Sequence, residues 1–157
     1  MSPRILIVDD HEIVREGIRT LINRARPNWE ICGEAANGNE AIAAVQSLKP
    51  DVVVLDITMP VLSGLEVTQR LIKSDSKTRI LMFTMHESAR LANDVREAGA
   101  QGLVLKSQAS RDLIVAIETL LSGGTFFPNP SEPNTPPSIT RFRPGSLMLR
   151  IPILRPA

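Results

Sequence analysis

The stretch Val52 to Gly64, "VVVLDITMPVLSG", runs an unbroken apolar quartet into a lone carboxylate, then into Met-Pro and a glycine. Apolar residues without polar alternation read as a strand covered on both faces, the condition of a strand inside a parallel sheet. Asp56 then stands at the carboxyl end of that strand. A buried carboxylate there costs stability unless something pairs with it.

Working outward, the same pattern recurs. The runs "RILIV", "EICGEA", "DVVVL", "RILMFT" and "GLVLK" are short and aliphatic, and longer stretches of helical period separate them from Arg4 to about Gly123. From His11 to Ala25 an apolar stripe of Ile13, Val14, Gly17, Ile18, Leu21 and Ile22 opposes Arg15, Glu16 and Arg19. Asn37 or Asn39 is placed to cap a second helix ending before Pro50, and Ser63 or Gly64 starts a third reaching about Lys73. Glu87 to Ala98 and Ser110 to Ser122 complete the set, closed by Gly99 and by Gly123-Gly124. Strict alternation predicts an α/β fold: a three-layer α/β/α sandwich on a five-stranded parallel sheet, doubly wound and flavodoxin-like.

At 157 residues the chain holds one such domain, and its net charge of +1 signals no partner by itself. Cys32 is the sole cysteine, which excludes a disulfide framework and fits a reducing, cytoplasmic setting. The five-residue apolar run near the N-terminus is too short for a signal peptide, and nothing is long enough to span a membrane. From residue 124 the composition shifts. Eight of the twelve prolines and a net charge of +3 fall within residues 125–157, which read as a linker and an atypical or truncated tail.

In an open parallel sheet, ligands bind beyond the carboxyl strand ends. Asp9 and Asp10 end the first strand, Asp56 the third, Thr84 the fourth and Lys106 the fifth. Two carboxylates about 4 Å apart repel by about 4 kcal/mol at an effective dielectric near 20. One lysine cannot compensate three acids, whereas Mg²⁺ held by carboxylates, waters and phosphate oxygens can. Given the metal, Asp56 is a candidate nucleophile for an aspartyl-phosphate, with Lys106 and Thr84 positioned for the phosphoryl oxygens. The bland alternative for the acidic pair is a helix N-cap, which Asp10 would suit.

The order and spacing of "ILIVDDH", "DVVVLDITMPVLSG", "ILMFT" and "GLVLKS" resemble the receiver domain of two-component response regulators, over Arg4 to about Gly123. "DDHEIVREGI" and "LKS" resemble the NarL/FixJ subfamily, whose receivers precede a LuxR-type helix-turn-helix. The resemblance implies that Asp56 is the phospho-acceptor for a sensor histidine kinase. It further implies Mg²⁺ on Asp10, Asp56 and the backbone carbonyl of Thr58, with Asp9 acting mostly through water. Thr84 becomes the switch hydroxyl and Lys106 the phosphate-pairing cation; Pro60 stops the strand and Gly64 permits the turn. Homodimerisation through the helix 4 to helix 5 face belongs to the same set of expectations.

Two positions depart from the pattern: Leu103 stands where the family usually has an aromatic switch residue, and Ser107 follows the lysine in place of proline. A phosphohydrolase on a similar sheet would want a second Asp where Thr58 stands. A nucleotide binder would want a Gly-rich loop where "VDDHEI" offers acids. His11 reads as solvated or capping, and His86 as either an inert loop residue or one that modulates water access to the phosphoryl group. Met82, Phe83 and Met85 read as strand packing, and Trp29 as cover for the second strand's edge. A DNA-binding regulator of the NarL type is the alternative function, although residues 125–157 show no paired helical period for a recognition helix.

Overall fold

The structure, a computed structural model, describes residues 2–86 and 88–128. Along it run β1 (Arg4–Val8), α1 (Glu12–Ala25), β2 (Glu30–Ala35), α2 (Gly38–Leu48), β3 (Val52–Asp56), α3 (Gly64–Lys73), β4 (Arg79–Thr84), α4 (Ala89–Ala98), β5 (Gly102–Leu105) and α5 (Ala109–Leu121). A 3-10 turn, Lys106–Gln108, joins β5 to α5. Every neighbouring pair of strands is parallel, in the order β2-β1-β3-β4-β5. This is the flavodoxin-like sandwich that the alternation predicts. The winding reverses between β1 and β3, so the switch point lies where Asp9 and Asp56 stand.

β3 is buried along its whole length because successive side chains enter different layers. Val53 and Leu55 pack with Val45, Val67, Leu71 and Val95 from α2, α3 and α4. Val52 and Val54 pack with Ile18, Ile22, Leu113 and Ile117 from α1 and α5. Each such side chain contributes about 1.5–3 kcal/mol on burial. Trp29 and Leu103 are buried in these layers, whereas Met85 lies past the end of β4 and is exposed, which corrects its reading as strand packing.

The helix starts are chemically specified. Asn37 accepts from the Glu40 N–H, Ser88 from that of Leu91, and Ser63 forms a full capping box with Glu66. Ser63→Ala should lower stability by about 1 kcal/mol in urea unfolding, the usual cost of losing an N-cap oxygen.

Gly64 serves a purpose other than the one expected. Its backbone is not left-handed; a Cβ there would fall 2.6 Å from the Asp56 carbonyl oxygen and 2.8 Å from Ile57 Cα. The residue is small because α3 starts against the strand that carries Asp56. The left-handed position in this loop is Val61, at φ 71 and 92% exposed, an unusual place for a β-branched side chain.

After α5 the chain turns at Gly123, φ 93, and doubles back along β5. Phe126 donates its N–H to the Gln101 carbonyl at 3.0 Å, and its own carbonyl accepts from Leu103 at 2.8 Å, which makes a parallel bridge to Gly102. Phe126 joins the α1/α5 layer. Phe127 packs on the opposite one, with the Arg96 guanidinium 4.3 Å from its ring centre. The reading of the basic tail falls mostly on residues 129–157, outside the described residues. Among the described residues no helix is long and apolar enough to cross a membrane.

Candidate functional site

β1 and β3 pair with Val8 opposite Leu55, so the next residues of each, Asp9 and Asp56, reach the sheet's carboxyl edge at one level. Both are buried, at 0% and 3% exposure. Lys106, the first residue past β5, reaches across: its Nζ donates to Asp9 Oδ2 at 2.9 Å and stands 3.4 Å from Asp56 Oδ1. Its ammonium also lies 5.8 Å from the Phe83 ring centre. One cation thus bridges two buried carboxylates. Asp56 Oδ1 further accepts the Thr58 N–H at 3.2 Å, and Asp9 Oδ1 that of His11 at 2.8 Å.

Asp10 stands differently. Its side chain is partly exposed, yet its Oδ1 is enclosed and has no hydrogen-bond partner among the described residues; His11 Nδ1, 3.2 Å away, is within ion-pair distance but lacks the alignment of a bond. Thr84 is buried at the end of β4, but its hydroxyl is bonded to its own loop, accepting the His86 N–H at 3.3 Å. The structure therefore brings Asp9, Asp56 and Lys106 into direct contact. The Thr84 hydroxyl is committed elsewhere.

Burial, and after it the charge of Asp9, pushes the Asp56 carboxyl above the ordinary carboxylate range; the Thr58 N–H and Lys106 pull it down without prevailing. For Lys106 burial alone would lower the pKa, but its hydrogen bond to Asp9 and the charges of Asp56 and Asp9 outweigh that and raise it. Lys106 is a fixed ammonium, and Asp56 a carboxylate held in unfavourable surroundings, as reactive groups commonly are.

One residue of this neighbourhood escaped the sequence reading. Arg15 lies on the polar side of the α1 stripe, yet its side chain is only 16% exposed. Its Nη1 donates to the Asp9 carbonyl at 2.6 Å and its Nε to Glu34 Oε1 at 3.0 Å. The available signal was the spacing of Arg15 and Arg19, one helical turn apart, both meeting Glu34 of β2. His11, read as solvated or capping, is the exposed N-cap residue of α1, with its Nδ1 3.3 Å from Asp9 Oδ1 and 3.2 Å from Asp10 Oδ1.

The response regulator receiver domain description matches residues 5–118, from β1 through most of α5. This chain belongs to the response regulator receiver family. The receiver is 36% identical over 125 residues to the transcriptional regulatory protein LnrK of Bacillus subtilis (strain 168), covering 80% of this chain and 56% of that protein. It is also 36% identical over 122 residues to the response regulator UvrY of Escherichia coli (strain K12), covering 78% and 56%. The chain thus spans a little over half the length of these relatives.

Among solved structures, a LuxR-family two-component response regulator from Aurantimonas sp. SI85-9A1 matches with a TM-score of 0.77 at 40% identity, over 90% of this chain and 94% of that one. The isolated receiver of RcsB from Salmonella enterica serovar Typhimurium, in the presence of phosphomimetic BeF3-, matches at 0.74 and 26%, over 82% and 95%. Receivers of this family are signalling switches that sensor histidine kinases phosphorylate. They generally bind Mg²⁺ at an acidic pocket.

The residues of this receiver fit such an ion. Carboxylate oxygens of Asp9 and Asp10 and a ring nitrogen of His11 lie within 4.8 Å of one another. Among the described residues the enclosed Asp10 oxygen has no hydrogen-bond partner, and the carboxylates offer hard oxygen donors.

Proposed function

We propose that this receiver takes a phosphoryl group onto Asp56 from the phosphohistidine of a sensor histidine kinase, in a Mg²⁺-dependent reaction, and changes the face of α4, β5 and α5 in response. The observation that supports it best is Asp56 itself: buried, flanked by a second buried acid, and held at one oxygen by Thr58 and Lys106. A structural carboxylate is rarely placed at such cost.

Asp10, Asp56 and the Thr58 carbonyl would hold the metal, with Asp9 acting mostly through bound water. When bound, Mg²⁺ neutralises the acidic edge and the phosphoryl oxygens. A carboxylate oxygen of Asp56 bonds to phosphorus as the donor's P–N bond breaks, its electron pair remaining on the imidazole. Lys106 pairs with a phosphoryl oxygen. Thr84 exchanges its bond to His86 for one to the phosphoryl group, which carries the change toward α4.

Incubating the full chain with Mg²⁺ and a small acyl phosphate, then measuring intact mass, tests this. The expected result is one added phosphoryl group. An unchanged mass, or a gain that persists in Asp56→Ala, would sink the assignment.

The names of the relatives favour transcription control as the output; action in the cytoplasm and pairing of copies through the α4 to α5 face are part of the proposal and rest on the family resemblance alone. Within this chain the basic segment to test for DNA contact is residues 129–157, which carry four arginines against one glutamate. A gel shift that does not change when they are deleted removes DNA from that reading.

A further inference from the structure

We propose that Arg15 and Glu34 form a brace that sets the peptide joining Asp9 to Asp10, and through it the affinity of the acidic edge for Mg²⁺. The inference rests on reading that edge as the Mg²⁺ site. Asp9 is held on both sides of its Cα, by β2 on one and by α1 on the other. Its N–H donates to the Ala35 carbonyl at 3.1 Å, and its carbonyl accepts from Arg15, which Glu34 holds in turn. Arg19, one turn along α1, occupies the other Glu34 oxygen. Both oxygens of Glu34 are therefore used, and its side chain cannot swing away without breaking two ion pairs.

The carbonyl that Arg15 holds shares a peptide plane with the N–H of Asp10. Rotation of that plane would redirect the Asp10 carboxylate, whose enclosed oxygen awaits a partner. A planar guanidinium can make two directed bonds, to Asp9 and to Glu34, where a lysine offers a single point charge. Groups that orient metal ligands in this manner commonly account for about 10–100-fold in affinity. Arg15 is thus a positioning residue. A simple charge effect has the opposite sign, because a cation beside a cation site weakens binding.

Titration calorimetry of Mg²⁺ alone into the full chain separates the two effects, using Arg15→Met, Arg15→Lys and Glu34→Gln, each checked for folding in urea. Both Arg15 variants should bind Mg²⁺ about tenfold or more weakly, and Glu34→Gln more weakly than wild type by a smaller factor. In acyl-phosphate labelling, the Mg²⁺ needed for half-maximal rate should rise in step, with the rate at saturating Mg²⁺ retained. Equal or tighter binding in Arg15→Met overturns the brace, as does wild-type affinity in Arg15→Lys. If the Arg15 variants do not fold, unchanged affinity in Glu34→Gln overturns it. A wild-type chain that binds no Mg²⁺ overturns the site reading and the brace together.

Discussion

Asp56→Asn should take up no phosphoryl group under conditions that label the wild type, and yet unfold at a higher urea concentration at neutral pH. The first result follows from replacing the attacking oxygen's carboxylate with an amide of negligible nucleophilicity. The second follows from where the charge lies. Asp56 is buried beside Asp9, and its carboxyl is raised above the ordinary range by burial first and by Asp9 second. A raised folded-state pKa means that the native state binds the proton more tightly than the unfolded chain does. Its stabilising contribution is present below the unfolded value of about 4 and is lost as pH rises through the folded one. At pH 7 the ionised group therefore costs the fold.

Asparagine keeps the size and an oxygen for the Thr58 N–H while removing the charge. The gain should be about 1–3 kcal/mol, the scale of an uncompensated desolvation penalty, and should vanish in acid, where the wild-type carboxyl is neutral. Equal stability at neutral pH would show that Lys106 and Thr58 already compensate the charge.

Lys106→Met should act in the other direction. Methionine preserves the apolar stem but leaves Asp9 and Asp56 buried without their shared cation. Removing one partner from a buried ion pair typically costs about 3–5 kcal/mol. The lysine's pKa is raised by Asp9 and Asp56 against the opposing pull of burial. Its stabilisation is therefore complete below the unfolded lysine value of about 10.4 and is lost only as pH climbs through the folded one. At neutral pH the full deficit should appear, and it should shrink as pH falls and Asp56 takes up its proton.

Added Mg²⁺ should restore part of the loss, since a ligand that binds only the native state stabilises it. Combining the two substitutions gives the sharpest result. Asp56→Asn should stabilise more in the Lys106→Met background than in the wild type, and strictly additive effects would refute the shared-cation geometry.

Much of this was legible in the residues. "VVVL" and its counterparts are apolar on both faces, which fixes a doubly covered parallel sheet, and strand ends follow from where the apolar runs stop. Asp9, Asp56 and Lys106 could be brought together on paper because the topology rule places their strand ends on one edge. Other features depend on distances that a pattern does not carry. Helical period assigns Arg15 to the side away from the apolar stripe, but a long side chain at the start of α1 reaches back over the strand end. The smallness of Gly64 is visible in sequence; that it makes room for the Asp56 carbonyl is not. The Thr84 hydroxyl could be placed at the right edge, whereas its bond to His86 is a choice of rotamer. Val61 at positive φ gives no sequence signal, because asparagine or glycine would be expected there.

The return of the chain along β5 bears on how this protein can be cut. The helical pattern ends at Gly123 and Gly124, an inviting place to trim. Yet β5 is an outer strand of four buried residues, and Phe126 occupies its main-chain groups at Gln101 and Leu103. A fragment stopping at residue 123 would bare that strand together with the apolar surface that Phe126 and Phe127 cover. Bare edges of this kind pair readily with other chains. Such a fragment should precipitate or form mixed oligomers on size-exclusion chromatography, while one stopping at residue 128 stays in solution. The aromatic pair is the seam allowance of this domain, and trimming it lets the edge of the sheet fray.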